Sequence, residues 1–164
     1  KLKITCYVAF FLGFTGCASV IIGQLDERVS AKVSSVEVVD TNGRAGQLYS
    51  RALRQALYVH GQASPAYYLT SSISVSSSST LSVRGVTSTF KKMTMVANFE
   101  LIKQGGDHYV LLNDTVTADA TLGSVSSFFG QDQSESHARD RMATLLAQRV
   151  AQQVKLYFLE NTDN

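Results

Sequence analysis

From Tyr67 to Val83, the apolar residues Tyr67, Leu69, Ile73, Val75, Leu81 and Val83 all stand at odd positions, with mostly polar residues between them. Neighbouring side chains on a strand point to opposite faces, so a period of two describes a strand with one apolar and one hydroxyl face. The run from Ser71 to Ser79 has the composition of a flexible linker. A linker has no reason to keep its apolar residues in phase, so the strand is preferred, with room for a bulge near Ser77 to Ser79. Met93, Met95, Ala97, Phe99 and Leu101 alternate in the same way. Gln104-Gly105-Gly106-Asp107 then offers a hairpin turn, and Val110, Leu112, Val116, Ala118 and Leu122 mark the return strand. These two strands are expected to pair antiparallel.

Two other stretches carry the helical period. In Arg44 to His60, Leu48, Ala52, Ala56 and Val59 share a stripe that Tyr49 and Leu53 widen, while Arg44, Arg51 and Arg54 point elsewhere. Asp40-Thr41-Asn42-Gly43 can cap this helix, Gly61 is placed to end it, and Pro65 prevents a restart. A second helix is predicted over Ser134 to Phe158, after a loop holding Phe128 and Phe129. Asp132 or Ser134 would cap it, Asp132 and Glu135 having capping-box spacing, and Met142, Leu145, Leu146, Val150, Val154 and Tyr157 would mark its buried face. β-Branched residues from Ala31 to Val39 predict a first strand. The order is β-α-β-β-β-α over residues 31–160: an α+β two-layer sandwich, with a mostly antiparallel four-stranded sheet and two helices on one face.

Catalytic chemistry finds little support. There is no Gly-x-Ser-x-Gly elbow, no phosphate-cradling glycine loop and no His-Glu-x-x-His. His60, His108 and His137 fall on a helix end, a hairpin and a helix start, a spacing that does not suggest a shared metal site. Ser136, His137 and Asp140 are near neighbours on one predicted helix, which does not normally bring nucleophile, base and acid into triad geometry. No enzyme activity, metal or cofactor is expected.

The first residues read as a processed leader. Lys1 and Lys3 form a positive start, and Ile4 through Phe14 an apolar run of signal-peptide length, too short to span a bilayer. Phe14-Thr15-Gly16-Cys17 then resembles the lipobox of bacterial lipoproteins, whose cysteine becomes the acylated N-terminus, although an aliphatic residue is usual at the position of Phe14. An ordinary secretory signal or a buried N-terminal helix would leave Cys17 free. Acylation accounts better for Cys17, because Cys6, the one other cysteine, would leave with the leader. The expected division is therefore 1–16 signal peptide, 17–30 lipidated N-terminus and tether, and 31–160 folded domain. Without an aspartate after Cys17, the outer membrane is the expected destination, facing the periplasm.

Charge narrows the partners. Losing Lys1 and Lys3 from 15 basic residues leaves 13 against 13 acidic ones, so nucleic-acid binding is not expected. Arg84, Lys91 and Lys92 flank the segment joining two predicted strands, where three cations could meet lipid phosphates. An ordinary solvated loop is the plainer reading of the same residues.

Taken in order, these features resemble a known family. A lipobox precedes a strand, then a Gly-x-Leu-Tyr-x-x-x-Leu-x-x-Ala-Leu helix at Gly46 to Leu57, a tyrosine-led strand at Tyr67-Tyr68-Leu69, a hairpin with Phe99-Glu100-Leu101, and an alanine-rich helix from Ala138 to Ala151. From about Val33 to Phe158 the chain resembles the LptE lipoproteins in their alphaproteobacterial form, although members often continue Cys-Gly-Phe where this chain has Cys17-Ala18-Ser19. The resemblance implies a non-enzymatic outer-membrane lipoprotein that plugs the β-barrel LptD, helps it assemble and binds lipopolysaccharide in transit. Ser72, Ser74 and Ser76, out of phase with Ile73 and Val75, are candidates to face a polar barrel lumen. The alternatives are an auxiliary lipoprotein of an ABC-type lipid transporter and, in a different class, an envelope hydrolase.

Overall fold

A computed structural model describes residues 27–57, 64–80, 90–105, 109–123 and 127–161. Over these, helix α1 (residues 27–34) leads into β1 (Val36–Val38), α2 (Gly43–Leu57), β2 (Tyr67–Thr80), β3 (Phe90–Lys103), β4 (Tyr109–Gly123) and α3 (Phe128–Glu160). The sheet order is β1-β2-β3-β4. β1 runs parallel to β2, whereas β2–β3 and β3–β4 are antiparallel. The α+β architecture with a largely antiparallel sheet is the one the periodicities predict.

The alternation in β3 places Met93, Met95, Ala97, Phe99 and Leu101 in the core, each at most 1% exposed. Leu69 of β2 and Val116 and Ala118 of β4 join them on the same side. Helices α2 and α3 pack on each other and on this face. Removing so much apolar surface from water is the main stabilising term, roughly 25 cal/mol per Å² buried.

Several boundaries differ from expectation, each for a physical reason. The valine-rich stretch from Ala31 is helical to residue 34, and only Val36–Val38 form a strand. Val29 and Val33 lie one helical turn apart and both pack on the core, so their β-branching misleads where their spacing does not. Residues 27–30, expected in a tether, belong to the same helix. α3 begins at Phe128, with Ser127 as its N-cap, so neither Asp132 nor Ser134 is a cap. Phe128 and Phe129 occupy the first helical turn at 98% and 79% exposure. Leu145 is exposed and Tyr157 half-buried, while Ala138, Ala143, Ala147 and Ala151 are buried on α3. In α2 the deepest stripe is Gly46, Tyr49, Leu53 and Leu57, whereas Leu48, Ala52 and Ala56 are half-buried at its margin. Val59, His60, Gly61, Leu81, Val83 and Arg84 lie outside the described residues.

No bulge interrupts Ser77 to Ser79: pairing runs unbroken from Tyr67 opposite Lys103 to Thr80 opposite Phe90. The irregularity falls instead between Leu101 and Ile102, where β4 spends an extra residue at Leu111. Val110 is thereby shifted opposite Ile102, onto the face away from the helices, and leaves the core series it was expected to continue.

The entry to α2 fixes its seat on the sheet. Gly43 has φ of +82°, a left-handed conformation that costs a residue with a Cβ. At Gly46 a Cβ would come within 2.6 Å of the Thr41 carbonyl oxygen, so only glycine permits this approach of chain to helix. Ser50 accepts the Thr41 amide at 3.1 Å, and the Thr41 hydroxyl donates to the Ser71 carbonyl at 3.3 Å. One turn along, the fully buried Tyr49 shares a hydrogen bond of 3.0 Å with the Ser71 hydroxyl. Burial pushes the Tyr49 phenol up to about 12, the Ser71 contact pulling it partly back.

Candidate functional site

With both helices on one side, the other face of the sheet carries the even residues of β2 and β3 and their partners on β4. The pairing sets them in rows: Ser78, Lys92 and Thr121; Ser76, Thr94 and Asp119; Ser74, Val96 and Thr117; Ser72, Asn98 and Thr115; Thr70, Glu100 and Asn113. Hydroxyl, amide and carboxylate groups therefore dominate this uncovered face. Its β3–β4 half is held by cross-strand hydrogen bonds: Thr94 to Asp119 at 2.6 Å, Thr115 to Asn98 at 2.7 Å and Asn113 to Glu100 at 3.0 Å. Ser72, Ser74 and Ser76 are exposed on the β2 half, as their phase requires.

The three cations singled out in the sequence do not form one cluster among the described residues. Arg84 lies outside them. Lys91 and Lys92 are sequence neighbours on a strand and so project to opposite faces. Lys91 turns to the helical layer, where its ammonium meets Glu135 of α3 at 2.8 Å. Lys92 stands on the hydroxyl face and meets Asp119 at 3.2 Å. The Lys91 hydrogen bond, helped by Gln131, holds the Glu135 carboxyl below the usual carboxylate range. Asp119 is lowered likewise, first by the Thr94 hydroxyl and then by Lys92. The sequence offers Glu135 only as a capping-box residue and Asp119 not at all, because an ion pair between elements leaves no local spacing to detect.

Among the described residues, no group of three or more histidine, cysteine, aspartate or glutamate side chains could hold a metal. His137 contacts Gln133 one turn away at 3.0 Å on an exposed part of α3. A shallow polar hollow lies at the start of α2, lined by Asp40, Thr41, Gln47, Arg51 and Arg54 among others. Asp40 and the Val38 carbonyl engage Arg54 there, a structural tie between β1 and α2. No described helix is long and apolar enough to cross a membrane.

Solved structures share this architecture at low identity. A chain described as a lipoprotein from Caulobacter crescentus aligns with a TM-score of 0.61 at 17% identity, covering 81% of this chain and 96% of that one. The minor lipoprotein of Acinetobacter baumannii gives 0.52 at 14% identity, over 75% of this chain and 92% of its own. The rare lipoprotein B of Shewanella oneidensis gives 0.52 at 14% identity, over 79% and 97%. These likenesses concern the fold. No curated protein matches the chain by sequence. A family model described as lipopolysaccharide-assembly, LptE, matches residues 31–154, which include all four strands, α2 and most of α3. The chain belongs to the LptE lipopolysaccharide-assembly family.

Proposed function

We propose that this protein is a non-enzymatic, lipid-anchored component of lipopolysaccharide assembly at the outer membrane, seated against the polar interior of an LptD-type β-barrel. The observation that carries this reading is the uncovered sheet face. An exposed face made mostly of small hydroxyls and amides, with the apolar row Tyr68, Ile102 and Val110 confined to one end, can meet a polar lumen through hydrogen bonds and trapped water. Acylation of Cys17 would supply the anchor, since two or three acyl chains hold a protein stably where one does not. Lys92, standing on the hydroxyl face, is the better placed of the described cations for a lipopolysaccharide phosphate. Arg84 belongs to the same proposal, whereas Lys91 is held by Glu135 on the opposite face.

Photo-crosslinkers at Ser72, Ser74 and Ser76 test the seating in living cells. Capture of a heat-modifiable barrel protein, together with a fall in assembled barrel on depletion of the lipoprotein, is the expected result. Crosslinks to inner-membrane or periplasm-spanning components would instead assign the protein to a transporter. Purification alone from mild detergent, with barrel levels indifferent to depletion, would end the barrel reading.

A further inference from the structure

The two long edges of the sheet are treated differently by the sequence. On β4, side chains occupy two of the outward backbone groups. The Asp114 carboxylate accepts the Thr115 amide at 2.7 Å, and Arg149 of α3 donates to the Thr117 carbonyl. Charges and a bulge complete the protection natural proteins give an edge strand.

On the opposite side, β1 covers only Tyr67 to Leu69 of β2. Beyond it, Val39 donates to the Leu69 carbonyl and the Thr41 hydroxyl to the Ser71 carbonyl. Amide and carbonyl of one strand residue point to the same side and those of the next residue to the other. The backbone groups of Leu69 and Ser71 thus face the outer edge, and with unbroken register so do those of Ile73, Val75, Ser77 and Ser79. From Ser72 to Thr80 no described strand lies beside them. The segment has no charge, no proline and no bulge, and Val75, Ser77 and Ser79 are exposed even on the helical side. Among the described residues it is an edge without guards.

We infer that this edge receives an added strand, an extended segment of the same barrel partner that meets the hydroxyl face, continuing the line of β1 along Ile73 to Ser79. The inference rests on the proposed seating against the barrel. Serine side chains offer little apolar area, so such a strand gains mainly backbone hydrogen bonds, each of modest net value. That suits a segment already tethered by a larger contact, and the exposed serines of the sheet face adjoin this edge.

Proline separates edge from ladder. Ser77→Pro removes an outward amide and obstructs an incoming strand, while the ladder bonds to β3, made by the even residues, are kept. The full-length lipoprotein is co-expressed with LptD, and the barrel recovered per lipoprotein is measured in mild detergent. Ser77→Pro is expected to lower that ratio by about tenfold, as loss of one or two hydrogen bonds plus a steric block implies, with Ser77→Ala unchanged. Thermal denaturation of each purified variant checks folding. Should Ser77→Pro unfold, the paired Ser77→Lys and Ser79→Lys changes guard the edge at exposed positions and are expected to lower the ratio similarly. Recovery of barrel by wild type and by folded edge variants alike would overturn the added strand and leave the seating intact. Wild type that recovers no barrel would overturn both. A wild-type self-association abolished by Ser77→Pro would give the edge to a second copy and overturn the inference as stated.

Discussion

The Lys91 ammonium lies 2.8 Å from the Glu135 carboxylate, clasping the start of β3 to the second turn of α3. Arg139 adds a second contact to the same carboxylate at 3.1 Å. Glu135→Gln should therefore cost some stability at neutral pH, no more than about 1 kcal/mol because the pair is partly solvated. The folded carboxyl titrates below its ordinary range, so its contribution is present above about pH 4.5 and fades as pH falls through the lowered value. Denaturation midpoints from pH 7 to 3 should converge for wild type and Glu135→Gln at the acid end.

Reversal of each lysine separately distinguishes clasp from binding surface. Lys91→Glu would face Glu135 and should lower the melting temperature. Lys92→Glu breaks a more exposed pair, that with Asp119, and should lower melting less than Lys91→Glu does while weakening lipopolysaccharide binding in a salt-sensitive way. Binding by Lys92→Glu equal to wild type at low ionic strength would remove Lys92 from the proposed phosphate contacts.

Gly46→Ala should destabilise by about 2 kcal/mol, because the new methyl would press on the Thr41 carbonyl carbon and oxygen, which are backbone and cannot rotate away. Chemical denaturation of the purified domain measures this directly. A loss below a few tenths would mean that α2 can lift off the turn without penalty.

Tyr49→Phe should cost about 1 kcal/mol at neutral pH through the lost hydrogen bond to Ser71. Because the folded phenol is raised to about 12 from 10, its contribution is complete below pH 10 and is lost as pH rises towards 12. Wild type should accordingly lose stability across that window more steeply than Tyr49→Phe. Parallel alkaline titrations of melting would show it.

Cys17→Ala should release the domain into the periplasmic fraction or leave the precursor uncut. A variant still cleaved at the same bond and still partitioning with the membrane would show that the anchor lies elsewhere.

Much of the fold is legible in the order of residues because alternation and helical spacing are local. Met93 through Leu101 announce their strand and its buried face without help. The Gly46 and Tyr49 signature is readable as a pattern, but its reason is not, since the Thr41 carbonyl and the Ser71 hydroxyl reach these positions only after folding. The start of α3 was missed because the Ser127 cap precedes two phenylalanines, and aromatic residues before a polar run resemble a loop that tucks inward. The functional surface was half visible: the phase of Ser72, Ser74 and Ser76 gives their face, whereas the opposed directions of Lys91 and Lys92 follow only from strand geometry.

The serines of β2 also bear on how the strand finds its alignment. A shift of a strand by two residues keeps every side chain on its own face, and where successive residues are identical it changes almost nothing. Ser76 to Ser79 are four identical residues in a row, so against Thr94 to Lys91 they carry scarcely any information about register. That information is concentrated where Leu69 meets Leu101 and Ile73 meets Ala97. Along the ladder itself, alignment is thus specified most strongly at the end nearest β1 and only weakly towards Thr80, so a mispairing at Leu69 would meet little correction from the serines beyond it.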